Sequence, residues 1–368
     1  MIPLFDLTGQ YKIIEKEIVS VIKKVLNKGQ YILGDEVKNF EKEFAKYLNI
    51  KYSVGLASGT DALKIALKSL GLSPEDEVIL PANVYPTAFG VREAGVKIKL
   101  VDVNLDTYNL DLNLLEKTIT EKTKAVIIVH LYGQPADLDS ILSIAKKYNL
   151  FVIEDCAQAH GAEYKGKKVG TFGDVGCFSF YPTKPLGAYG DGGMIVTNNK
   201  RIFEKTLALR MYGEKKRYQS VTFGYNSRID EIQAAILRIK LKYLNRWNKE
   251  RRKKAILYKK ELKKIREIKV PLEIKHSEGV YHLFVIRAKK RNDLKRYLEK
   301  KGIITGIHYP LPIHLVESFR YLGYKNGDFP VSEKLSAEVL SLPLYAEINS
   351  EKIKYVTEEI KSFYEEKT

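Results

Sequence analysis

The chain has 368 residues, enough at roughly 100–200 residues per domain for two domains, or for one large domain carrying a smaller one. With 45% hydrophobic and 29% charged residues, it is globular in composition, which excludes disordered, collagen-like and disulfide-scaffold classes. The formal net charge of +17 leaves nucleic acid open as a partner. The longest apolar run, Ala125 to Val129, falls far short of the roughly 20 residues that cross a bilayer, so no membrane association is expected. Met1 to Asp6 has no basic stretch ahead of an apolar one, so a secretory leader is not expected and the expected address is cytoplasmic. Two cysteines, Cys156 and Cys177, lie in apolar segments without CxxC or HExxH spacing, which points away from a metal site and towards a reducing compartment.

Apolar residues at Val37, Phe40, Phe44 and Leu48 recur at spacings of three and four, one face of a helix ahead of the first strand. Short β-rich runs then alternate with helical patterns. Tyr52 to Leu56 precedes a helix from Thr60, and Glu77 to Leu80 precedes another. Lys97 to Val103, Lys124 to His130 with a helix from Asp137, and Leu150 to Glu154 come next. Such alternation gives crossover units and a mostly parallel sheet, an α/β fold whose ligands bind at the carboxyl ends of the strands. Met194 to Thr197 reads as one more strand, with long helical stretches through Lys264 broken near Arg246. Past Pro271 the pattern is α+β: a strand from Val280 to Ala288, a helix from Arg291 to Lys300, a strand from Ile303 to Ile307, and two closing helices. The expected division is a large domain over residues 1–250, with an N-terminal helical segment, and a smaller domain over 251–368.

The turns that leave the strand ends carry the chemistry. Ala57-Ser58-Gly59-Thr60-Asp61 is a small-residue turn opening a helix, which presents free backbone N–H groups and a positive dipole end to a phosphate. Plain capping by Ser58 or Thr60 explains it equally well. Asp155 stands at the mouth of an apolar strand, where a carboxylate is costly to desolvate unless a cation or donors face it; capping the next loop is the alternative. His130 and His160 lack metal-ligand spacing and read as hydrogen-bonded core histidines.

The most informative stretch runs from Cys177 to Gly193. Lys184 sits between Pro182 and Pro185 with no acidic residue within six positions, and an amine lacking a nearby carboxylate deprotonates more easily, as a Schiff-base lysine must. Pro185 keeps Lys184 out of helical φ/ψ. The glycines have the wrong spacing for a dinucleotide fingerprint, and a glycine-rich turn with a solvated lysine is the plainer reading.

Taken in order, these stretches resemble the fold-type I pyridoxal-phosphate enzymes of the DegT/DnrJ/StrS sugar aminotransferase family. The resemblance runs from Pro3-Leu4-Phe5-Asp6-Leu7 through Gly29-Gln30-Tyr31-Ile32-Leu33-Gly34, Ser58 to Leu63, Glu154 to Gly161 and the Lys184 segment, to Asn226-Ser227-Arg228 and His308-Tyr309-Pro310. It implies a mixed, mostly parallel sheet with helices on both faces and a small C-terminal α+β domain. By the same resemblance, pyridoxal 5'-phosphate is the cofactor, Lys184 its Schiff-base lysine and proton carrier, and Asp155 the partner of the pyridinium nitrogen. Gln158 would lie near the phenolic oxygen, with Tyr85 stacked on the ring. Gly59, Thr60 and Ser179 would hold the phosphate, helped by Asn226 from the neighbouring subunit of a homodimer. Tyr181, Arg228, His308 and Tyr309 would contact substrate. Cys156 stands where alanine is common and reads as packing. Relatives with histidine for the lysine are dehydratases, so Lys184 points to transamination.

The implied substrates are a nucleotide-linked keto sugar and L-glutamate. Arg210, Lys215, Lys216, Arg217 and Arg228 fall near segments that line the sugar-nucleotide site in relatives. The stretches Tyr281 to Val285 and Gly306 to Leu315 most resemble the branch that aminates C3 of dTDP-3-keto-6-deoxyhexoses. A C4 aminotransferase, a C3 aminotransferase of UDP-linked acetamido sugars, and a sugar-sensing regulatory relative are the alternatives. The basic run Arg246 to Lys254 has Ile256, Leu257 and Leu262 on one side and reads as the solvated face of a helix, so no nucleic-acid partner is expected.

Overall fold

The computed structural model describes residues 1–270 and 272–365. The chain begins with α1 (Leu7–Lys28), capped where the Asp6 carboxylate accepts the Gly9 amide at 2.9 Å. α2 (Asp35–Leu48) buries Val37, Phe40, Phe44 and Leu48, the face its spacing predicts. Gly34 offers α2 no side-chain cap. The carboxylate of Glu231, 195 residues on, accepts the Glu36 and Val37 amides at 2.9 Å each instead.

Strands and helices then alternate: β1 (Tyr52–Leu56), α3 (Gly59–Leu70), β2 (Glu77–Pro81), α4 (Tyr85–Glu93), β3 (Lys97–Val101), α5 (Leu112–Thr118), β4 (Thr123–Val129), α6 (Leu138–Lys147) and β5 (Phe151–Asp155). A short hairpin, β6 (Glu163–Tyr164) and β7 (Lys167–Lys168), leads to β8 (Val175–Ser179) and β9 (Gly193–Thr197). The seven-stranded sheet has the order β1-β9-β8-β5-β4-β2-β3. Its neighbours are parallel except at β9, which runs antiparallel to both β1 and β8. The central strands are apolar along nearly their whole length and are buried on both faces, as a helix-covered parallel sheet requires. At β9, Gly193 is obligatory, because a Cβ there would lie 2.1 Å from the carbonyl oxygen of Ser58.

α7 (Lys200–Leu209) and a surface hairpin, β10 (Glu214–Lys216) with β11 (Gln219–Ser220), lead into α8 (Glu231–Leu241) and α9 (Leu244–Leu262). The two helices break at Lys242-Tyr243 rather than near Arg246. α9 turns Leu244, Trp247, Asn248, Arg251, Ala255, Tyr258 and Leu262 inward. Ile256 is exposed, so the apolar side is rotated from the one the sequence suggests. The remaining strands and α-helices are β12 (Ile268–Lys269), β13 (Ser277–Glu278), β14 (Phe284–Ala288), α10 (Arg291–Lys300), α11 (Pro330–Glu338), β15 (Val339–Leu342) and α12 (Ser350–Glu365). A second sheet, β12-β14-β15, packs with α9, α10 and α12 around a core that includes Tyr258, Phe284, Leu298, Leu342 and Phe363. The expected strand at Ile303 to Ile307 is two isolated bridges, Ile303 to Ile2 and Gly306 to Ser341. The strand expected from Val280 starts at Phe284. Among the described residues no helix is long and apolar enough to cross a membrane.

Candidate active site

The parallel strands end along one edge, and the chemistry-bearing turns leave from there. At the end of β1, the Ser58 hydroxyl accepts the Asp61 amide at 3.1 Å and caps α3. That is the plain capping reading, and it leaves the amides of Gly59 and Thr60, which have no acceptor within their helix, at the positive end of a 12-residue helix. Ser179, the last residue of β8, packs against Gly59: a Cβ there would lie 2.6 Å from the Ser179 Cβ. Ser179 thus lies beside a helix start whose free amides are the kind of site an anion uses.

Asp155 ends β5 and is buried. Its carboxylate accepts the Thr87 hydroxyl at 2.7 Å and the Ala157 amide at 3.1 Å. The loop-capping role is therefore real, and it occupies one oxygen only. Burial pushes the Asp155 carboxyl up, while the bonds from Thr87 and Ala157 and the charge on Lys184 pull it down. Lys184 departs from the sequence expectation in one respect. No carboxylate is near it along the chain, yet the fold brings the charge of Asp155 to bear on it from 29 residues upstream. Burial nevertheless dominates and lowers its amine to about 8, with Asp155 opposing, so Lys184 is not a solvated turn lysine.

Gln158 and three tyrosines surround this pair. The Tyr132 amide donates to Gln158 Oε1 at 2.7 Å, and Gln158 Nε2 donates to the Tyr309 hydroxyl at 3.2 Å. Tyr85, at the start of α4, meets the Tyr309 ring edge-on, with centroids 5.1 Å apart. His308 bonds Ser341 Oγ through Nδ1 at 2.8 Å, and its backbone carbonyl accepts the Tyr132 hydroxyl. Burial, then the charge of Lys184, depresses its imidazole to about 4, so it stands neutral. Gln158, Tyr85, His308 and Tyr309 are therefore assembled with Asp155 and Lys184, while Tyr181 lies exposed at the rim. Sequence reasoning misses Thr87 and Tyr132, because nothing near either residue in the chain signals its partner.

The remaining expectations divide. Asn226 is exposed, on a segment bridged to Met211, and Arg228 donates to the Met211 sulfur at 3.3 Å. No contact joins either to the Asp155 and Lys184 group among the described residues. Arg210 has its guanidinium bonded to Glu41 at 2.6 Å and to the Gly55 carbonyl at 3.2 Å, a clasp that joins α2 to β1. Lys215, Lys216 and Arg217 lie exposed around the β10–β11 hairpin. His130 is the core histidine expected, its Nδ1 accepting the Ala136 amide at 3.1 Å and its Nε2 facing Glu154 at 3.0 Å. Cys156 lies within reach of this pair. Burial alone would raise Glu154, but His130 and the amides of Gly170, Phe172 and Gly173, each at 2.7 Å, fill its oxygens and hold it below its ordinary range. The cluster is a hydrogen-bonded clasp. His160, by contrast, is buried between Phe178 and Phe180 with neither ring nitrogen bonded.

An amine held near neutrality in front of a buried anion, with the free amides of a helix start on the same sheet edge, fits pyridoxal phosphate, and the protein is a pyridoxal-phosphate-dependent aminotransferase. It belongs to the DegT/DnrJ/EryC1/StrS aminotransferase family, whose model matches residues 12–361. A pleiotropic regulatory protein of Geobacillus stearothermophilus is 46% identical over 366 residues, 99% of this chain and 98% of that protein. The dTDP-3-amino-3,6-dideoxy-alpha-D-galactopyranose transaminase of Aneurinibacillus thermoaerophilus is 44% identical over 364 residues, 99% of each chain. A crystal structure of S. venezuelae DesV in complex with a ketimine intermediate superposes with a TM-score of 0.96 at 39% identity, covering 98% of both chains. The substrates of this enzyme are sugar nucleotides.

Proposed function

We propose that the enzyme transfers the amino group of L-glutamate to C3 of a dTDP-linked 3-keto-6-deoxyhexose. The pairing of Lys184 with buried Asp155 at the strand mouths carries the reading of the reaction; the 44% identical transaminase supports the choice of sugar. The cofactor supplies an electron sink for the carbon that loses or gains a proton. Asp155 offers the anion that keeps a ring nitrogen protonated, and Thr87 orients it. Lys184 Nζ carries the proton, which an amine near pH 8 does well at neutrality. Gly59, Thr60 and Ser179 hold the phosphate; Gln158 and Tyr85 bound the ring. Tyr181, Arg228, His308 and Tyr309 face the sugar nucleotide.

The active form in this reading is a cytoplasmic homodimer in which Asn226 serves the partner's cofactor. Phe223 beside it is 99% exposed, with Val221 and Tyr218 also bare, an apolar patch that a second copy would cover. The division into domains at residues 250 and 251 belongs to the same proposal. It falls inside α9, which carries side chains into both the first body and the C-terminal core. Glutamate-dependent amination of a panel of keto sugars tests the substrate. Turnover of the dTDP-3-keto sugar above its 4-keto isomer and the UDP-linked acetamido 3-keto sugar supports the proposal; a preference for either of the others overturns it. No amination of any of them would instead favour the regulatory reading suggested by the Geobacillus name.

A further inference from the structure

Lys240 on α8 is the one lysine among the described residues that is buried, at 1% exposure, and it has no ion-pair partner there. A buried ammonium with no carboxylate at ion-pair distance is costly, and an apolar side chain of similar volume would be neutral or better for packing alone. Its amine donates instead to the carbonyl of Gly187 and stands 4.9 Å over the Tyr189 ring. Both residues belong to the loop that carries Lys184.

That loop is folded tightly on itself. The Ala188 amide donates to the Phe180 carbonyl at 2.7 Å and the Lys184 amide to the Tyr181 carbonyl at 2.9 Å. A Cβ on Gly187 would lie 2.3 Å from the Pro182 carbonyl oxygen. Two residues on, the Tyr189 amide donates to Gln233 Oε1 at 2.9 Å. Gln233 and Lys240 are seven residues apart, two turns along one face of α8. One helix face therefore grips the loop by a carbonyl and by an amide. α8 is itself fixed at its first residue, Glu231, to the start of α2, and by Ile236 and Ile239 against Ile14 and Ile18 of α1.

We propose that Lys240 is a positioning residue for Lys184: together with Gln233 it holds Gly187 to Tyr189 against α8 and so fixes the turn from which Lys184 reaches the cofactor. The inference rests on the reading of Lys184 as the cofactor's lysine. Burial also lowers the Lys240 amine to about 7, with Glu347 opposing that shift and Arg251 adding to it. It stays a donor to the Gly187 carbonyl in either protonation state, so the grip survives its titration.

The test compares full-length Lys240→Met, which keeps the bulk and loses the donor, with Lys240→Gln, which keeps a donor, and with Gln233→Leu. All are loaded with pyridoxal phosphate. In Lys240→Met, kcat should fall about 10- to 100-fold with KM for glutamate little changed, as expected when a reacting group is displaced by a fraction of an ångström to an ångström. The pH midpoint of the visible band of lysine-bound cofactor should move by roughly half a unit or more. Lys240→Gln should recover most of both, and Gln233→Leu should shift both in the same direction as Lys240→Met. Wild-type kcat and midpoint in Lys240→Met would overturn the proposal, as would equal impairment in Met and Gln. If Lys240→Met fails to fold, Gln233→Leu with an unmoved midpoint overturns it alone. Failure of the underlying reading shows separately: a Lys184→Ala protein that still bears the lysine-bound band places the cofactor on another residue.

Discussion

Lys184 sits where burial and a facing carboxylate act in opposite directions, and burial wins. Below about pH 8 the amine is protonated in the folded chain; between 8 and its ordinary value of 10.5 it is free base when folded and protonated when unfolded. The cofactor-free protein should therefore gain stability as pH rises through that window. Capture of pyridoxal phosphate, read as growth of the visible band in stopped flow, should quicken from pH 6.5 and level off above about 8.5. A rate flat across that range contradicts a nucleophilic amine lowered to about 8. Asp155→Asn should cut turnover by orders of magnitude at a nearly unchanged melting temperature, since the amide cannot keep a ring nitrogen protonated. A loop cap alone predicts the reverse, a loss of about 0.5–2 kcal/mol with normal turnover. Thr87→Val removes the 2.7 Å bond to Asp155 and should cost about 1–3 kcal/mol, because a buried carboxylate loses a donor. Thermal melts with and without cofactor measure it.

At the scale of elements, the clasp joining α2, β1 and the end of α7 sets a clear expectation. Glu41 Oε1 accepts Arg210 at 2.6 Å and the Gly55 amide at 2.8 Å. Arg210→Met strands that carboxylate and should destabilise by about 3 kcal/mol, the lower end of the range for a broken buried pair because neither side chain is wholly enclosed. Denaturant unfolding checks the loss, and an unaltered KM for the sugar nucleotide confirms that Arg210 is not a substrate cation. Local signals made α10, the Asp137 cap of α6 and the buried face of α2 legible in the sequence. α1 carries the same kind of signal: Asp6 caps it, and Ile14, Ile18 and Val25 line its buried side with no polar run longer than three residues between them. Ile303 to Ile307 has strand composition but pairs only through single bridges to Ile2 and Ser341, a tertiary choice that composition does not carry. The ordered motifs name Asp155, Gln158, Lys184, His308 and Tyr309, which the fold brings together, but not Thr87 or Tyr132. Their pairing was hidden, since Asp155 meets Thr87 across 68 residues and Gln158 meets Tyr309 across 151.

At the scale of the whole molecule, the shared site of the proposed homodimer makes a genetic prediction. Mixing Lys184→Ala chains with Asn226→Asp chains produces heterodimers with one doubly damaged site and one intact site, so activity should reappear though each parent is weak or dead. Mixed dimers confirmed by mass with no recovered turnover would place Asn226 in its own chain's site or outside any site. The antiparallel β9, inserted between β1 and β8, also sets a timetable for biosynthesis. Among the described residues β1 neighbours no strand but β9, and about 140 residues separate the end of one from the start of the other. At roughly 5–20 residues per second the first strand to leave the ribosome waits on the order of ten seconds for its partner, with α2 and α3 its cover meanwhile. Because Ser58 abuts Gly193 and Gly59 abuts Ser179, the start of α3 is walled in by that same late event. In the proposed reading, where this helix start holds the cofactor's phosphate, the nascent chain gains that grip only after the whole large sheet has been translated.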